Sequence, residues 1–153
     1  MASIYCNLHS PPAYPIYLRL FLAPARPFRH CFSRMPPPLV IDPAAIASLR
    51  ELNPGDDDEF LREIVGIFFE DTPRRITELD ESFAAGNVPV FTRAAHSIKG
   101  SAGNVGAMAL REIAGVLEHR SKNEALVQLE APLAQLKAEF GRAHDELARI
   151  IAR

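Results

Sequence analysis

From Ile41 onward, apolar residues recur at helical spacing and predict a run of helices. Asp42-Pro43 reads as an N-cap followed by proline at the first helical position, with Ile46 and Leu49 on one face of a short helix. That helix stops near Asn53-Pro54-Gly55, and Asp56, Asp57 and Asp58 are expected to cap and charge the start of the next. The second helix carries Phe60, Leu61, Ile64, Ile67, Phe68, Ile76, Leu79 and Phe83, is expected to kink or split at Pro73, and ends at Gly86-Asn87. A third begins near Val88-Pro89 and places Phe91, Ala95, Ile98, Ala102 and Val105 on one seam, closed by Gly106. Residues 107–120 form a fourth on Leu110, Ile113, Ala114 and Leu117. A fifth runs from Ala125 to about Ile151 with a kink at Pro132. Short connections imply antiparallel neighbours, so the expected fold is all-α: an up-down-up-down four-helix bundle with a short extra N-terminal helix.

Composition separates this segment from what precedes it. Residues 1–41 contain no Asp, Glu or Lys, four Arg, eight of the thirteen prolines, all three tyrosines and both cysteines. They hold +4 of charge, so residues 42–153 carry −6 of the overall −2. The prolines exclude any long helix there. Arg without acidic residues is the composition of an organellar transit peptide, but the reading adopted is a disordered Pro/Arg-rich extension over 1–40, or a leader from a mis-assigned start with Met35 as the initiator. A chain beginning at Met35 is therefore expected to fold and act as the full chain does, with 41–153 as the functional domain.

Several classes drop out. The acidic balance gives no electrostatic footprint for nucleic acid, and no apolar run reaches membrane-spanning length. With Cys6 and Cys31 alone there is no disulfide framework or four-cysteine zinc site. No His pair at i, i+4 suggests a metal, so none is expected. Phosphate-loop, dinucleotide-loop and nucleophile-elbow motifs are absent, so no ATP site and no independent kinase activity are expected. A cytoplasmic monomer without a cofactor of its own is expected.

The third helix carries the chemistry, in the segment HSIKGSAGNVG (residues 96–106). His96, Lys99, Gly100 and Gly103 share one face, roughly 130° round from the apolar seam, so the imidazole should point to solvent. Exposed glycines inside a helix each cost about 1 kcal/mol relative to Ala, and bundle stability does not call for them. They suit a site where something large approaches the backbone. A neutral imidazole is a nucleophile near physiological pH, and Lys99 supplies a cation one turn away for a group with several anionic oxygens. Together these fit a phosphoryl acceptor. A helical interaction bundle that is never phosphorylated is the alternative.

The segment AAHSIKGSAGNVG (94–106) resembles the signature of histidine-containing phosphotransfer domains, with Ile98 in place of the usual Leu. The Phe68-to-Pro73 spacing in FFEDTPRRITEL is similar as well, and the resemblance covers about residues 40–153. It implies that His96 is the phospho-acceptor and Lys99 the phosphate-facing cation. Gly100, Gly103, Ala107 and Ser101 would then lie at the partner-binding surface, and Glu118 would orient the imidazole. It also implies partners: response-regulator receiver domains, which would bring the Mg²⁺, and a hybrid sensor histidine kinase, in two-component signal transduction.

Overall fold

A computed structural model describes residues 39–55 and 57–152, all within the unit Met35–Arg153. The expectations for the leading extension, for Met35 as initiator and for Asp56 lie outside the described residues. Among the described residues there are five α-helices: α1 (Pro43–Leu52), α2 (Glu59–Ala84), α3 (Val88–Asn104), α4 (Met108–Arg120) and α5 (Glu130–Ile151), with a 3-10 turn at Leu126–Leu129 before α5. No strand occurs among the described residues.

Local chemistry explains most of these boundaries. The Asp42 carboxylate accepts from the Ala44 N–H at 2.9 Å and caps α1, while Asn87 accepts from the Val90 N–H and caps α3. The turns after α2 and α3 have the same construction. Gly86 and Gly106 adopt left-handed backbone (φ +67° and +73°), and the following N–H reaches back five residues, Asn87 to the Ser82 carbonyl and Ala107 to the Ala102 carbonyl. Gly106 does a second job. Asp42 N–H donates to its carbonyl at 2.9 Å, and a Cβ on Gly106 would sit 2.6 Å from Ala45 Cβ. The start of α1 thereby closes over the α3–α4 turn.

Three expectations change. Asp58 is the residue before α2, but it is left-handed (φ 66°) and makes no capping bond; its carboxylate instead takes Nε and Nη2 of Arg50, tying the end of α1 to the start of α2. α2 continues through Pro73 as one helix and is not split there. Pro132 falls in the first turn of α5, where the missing N–H is one a helix start leaves unpaired anyway, so it interrupts nothing. The segment before it is the separate 3-10 turn.

α3 is packed between α2 and α4, and α5 closes against both α4 and α2. Contacts run in opposite chain directions: Thr92 meets Ser121 while Gly103 meets Arg111, and Asp80 pairs with Lys137 while Phe68 stacks near Phe140. All five seam residues of α3 are buried, as is Ala94. Full burial of side chains such as Phe91, Ile98, Leu117 and Leu136 contributes about 1.5–3 kcal/mol each. On α2 the inward residue is Val65, whereas Ile67 is 57% exposed, because α2 turns that face away from its neighbours.

Candidate functional site

Burying the seam of α3 between α2 and α4 forces its opposite stripe, Arg93, His96 and Gly100, into solvent. The His96 side chain is 66% exposed, while Glu118 on α4, which faces it, is 15% exposed. Register between the two helices is fixed beside the site by Thr92 and Ser121, whose hydroxyls lie 2.7 Å apart; Ser121 also donates to the Glu118 carbonyl.

Glu118 is the hub. Its Oε1 lies 3.1 Å from His96 Nδ1, and its Oε2 accepts from Lys99 Nζ at 2.6 Å. Lys122 Nζ reaches Oε1 at 3.4 Å from one turn along α4. The Lys99 bond chiefly, with those from His96 and Lys122, outweighs the cost of partial burial and holds the Glu118 carboxyl down at about 2. At any ordinary pH it is a carboxylate and can only accept hydrogen bonds. His96 Nδ1 must therefore carry a proton and donate a hydrogen bond to Glu118. In the neutral ring that leaves the lone pair on Nε2, the nitrogen not engaged by Glu118.

The other expected site residues divide. Gly100 is bare, with nothing within 4 Å of where a Cβ would stand. Gly103 is not: the Arg111 side chain of α4 lies across it, with Cδ 3.4 Å from that point. Ser101 faces α2, where it lines a groove with Ile64, Ile67, Phe68 and Asp71, and its hydroxyl donates to the Ile98 carbonyl at 3.1 Å. It is not gathered with His96. Ala107 is a correction, because it is fully buried and cannot be part of a docking surface. The Gly106 turn folds its N–H back onto Ala102 and points the methyl inward.

Some of the site escaped the sequence. Lys122 was readable as an i, i+4 partner of Glu118. Gly115 lies under the Lys99 stem, with Lys99 Cδ 3.5 Å from its Cβ position, and Arg111 covers Gly103; both follow from the helix–helix register, which one sequence does not display. The exposed Met108 on α4 lies beside Lys99 and Arg111, while the exposed Ile67 on α2 belongs to the Ser101 groove. Among the described residues no three His, Cys, Asp or Glu side chains converge as a metal-ligand set, and no helix is long and apolar enough to cross a membrane.

Comparison with known proteins agrees with this fold. Residues 63–150 match the family model described as the Hpt domain, a span that includes His96, Lys99 and Glu118. The structure is similar to the crystal structure of histidine-containing phosphotransfer protein B (HptB) from Pseudomonas aeruginosa PAO1, with a TM-score of 0.69 and 26% sequence identity over 76% of this chain and 98% of that one. Among curated proteins, no sequence matches significantly.

Proposed function

Because the chain belongs to the Hpt domain family, we propose that it is a phosphorelay intermediate that accepts a phosphoryl group on His96 from a receiver-domain aspartyl phosphate and passes it to a receiver domain. The observation that carries this reading is the exposed His96 ring, held through Nδ1 by an ionised Glu118 with Nε2 left free.

In the forward step the Nε2 lone pair forms an N–P bond as the P–O bond to the donor aspartate breaks, and the freed carboxylate keeps the bonding pair. The ring retains its Nδ1 proton and so becomes cationic. Glu118 faces that new charge and stabilises it through the hydrogen bond already in place. Return to an aspartate reverses each change. A loose, in-line transfer of this kind asks the protein mainly for positioning and charge neutralisation. Lys99, bonded to the same carboxylate as His96, would be the cation that meets the incoming oxygens. Gly100 leaves main chain bare for the partner to approach. This chain supplies no cofactor in the scheme; the receiver brings Mg²⁺.

Residues 41–153 constitute the relay domain in this reading, arranged as an up-down-up-down four-helix bundle with α1 as the short leading helix; the opposed contacts of α3 with α4 and of α2 with α5 support that arrangement. The exchange takes place in the cytoplasm, with a hybrid sensor kinase upstream. The test is to incubate the chain with a phosphorylated receiver domain and look for acid-labile, base-stable phosphate. His96→Gln should abolish labelling and leave helicity intact; label that persists would place the acceptor elsewhere, and no transfer from any receiver would overturn the proposal.

A further inference from the structure

From Ser82 to Arg111 the chain has no Asp or Glu, although residues 42–153 as a whole carry −6. That window contains Arg93, Lys99 and Arg111, so within an acidic domain α3 and the first turn of α4 carry positive charge only, through the absence of acidic residues. Their partners differ. Lys99 and Lys122 are both bonded to Glu118. Arg93 and Arg111, both exposed, form no ion pair among the described residues, whereas Arg50, Arg75, Arg120, Arg142 and Arg149 each hold a carboxylate. Glu112, also exposed, lies near Arg111 without pairing to it.

Arg62 and Arg74 on α2 also lack an ion pair among the described residues, but Arg93 and Arg111 are the two that bracket His96. Arg93 stands three residues before it on the same stripe, about 4.5 Å along the helix axis. Arg111 lies over Gly103, seven residues beyond, or about 10 Å along the axis. Between His96 and Arg111 lies a shallow hollow lined by Lys99, Gly100, Gly103 and Asn104, with little side chain to obstruct an approaching surface.

We propose that Arg93 and Arg111 are docking residues that read two acidic groups on the partner protein, about 15 Å apart and placed unequally on either side of its phosphoaspartate. The inference rests on the reading of His96 as the phospho-acceptor and extends it to the partner's surface. Guanidinium groups suit this role because their fixed fork pairs with a carboxylate through two hydrogen bonds. The unequal spacing sets orientation: a receiver turned end for end would set its acidic groups against bare helix instead of arginine. The bracket therefore selects among receivers and speeds encounter, while the transfer step belongs to His96, Lys99 and Glu118.

The test measures phosphoryl transfer to the full chain from whichever phosphorylated receiver domain exchanges fastest with the wild type. Arg93→Glu and Arg111→Glu are each expected to lower kcat/KM about tenfold at about 0.1 M salt. The gap from wild type should close at about 1 M salt, where screening acts within about 3 Å. Labelling of His96 by phosphoramidate, a small donor that needs no docking, should be unchanged in both variants. Wild-type rates and salt dependence in both variants, with His96 still labelled by phosphoramidate, would overturn the docking inference. Absence of His96 labelling from every receiver and from phosphoramidate would overturn the parent reading instead.

Discussion

Replacing Lys99 by Met tests how the hub carboxylate is held. The substitution keeps an apolar stem over Gly115 and removes the ammonium whose bond to Glu118, at 2.6 Å, is the strongest of the three. A carboxyl lowered from 4.5 to about 2 has its charged form favoured by roughly 3 kcal/mol, at about 1.4 kcal/mol per pKa unit. The pair sits at the rim of the helices with Lys99 35% exposed, so solvent screening reduces the Lys99 share to about 1 kcal/mol of folding stability. The sign follows from the lowered pKa. Stability from this group is fully present above about 4.5, the ordinary glutamate value, and is lost as pH falls through about 2. Lys99→Met should move the Glu118 carboxyl upward toward its ordinary value, followed by carbon NMR titration. Urea unfolding should show the variant about 1 kcal/mol less stable at neutral pH, with a shallower loss between pH 4.5 and 2. A wild-type Glu118 that titrates near 4.5, or one that Lys99→Met leaves unmoved, would refute the reasoning.

Two further substitutions separate stability from function. Gly106→Ala forces an L side chain into a left-handed conformation with its Cβ 2.6 Å from Ala45 Cβ, and should cost at least about 2 kcal/mol in urea unfolding; a cost below that of an ordinary surface change would mean α1 does not close on this turn. Gly100→Ala meets nothing within 4 Å, so it should raise helix stability by about 1 kcal/mol while slowing transfer from a receiver. An unchanged transfer rate would show that the bare main chain is not an approach surface.

What the sequence made legible was whatever depends on one helix at a time. The Asp42-Pro43 start, the α3 seam and the outward His96 all follow from local spacing, and the structure places them as expected. The misjudged positions depend on how helices meet. Ile67 fits the α2 stripe by spacing, yet Val65 takes the inward place. Ala107 continues the sequence of the exposed segment, but a turn built on Gly106 folds it into the core. Gly103 reads as a bare surface, and only the α4 register reveals Arg111 across it. Asp58 has the composition of a cap; a bidentate arginine from α1 draws its carboxylate elsewhere.

The most direct measurement is the identity of the nitrogen that carries phosphate after exchange with a receiver, read by phosphorus and nitrogen NMR of the labelled ring. Glu118 occupies His96 Nδ1, so the account predicts an N–P bond at Nε2 with the Nδ1 proton retained. Phosphate on Nδ1, or on any residue other than His96, would contradict it.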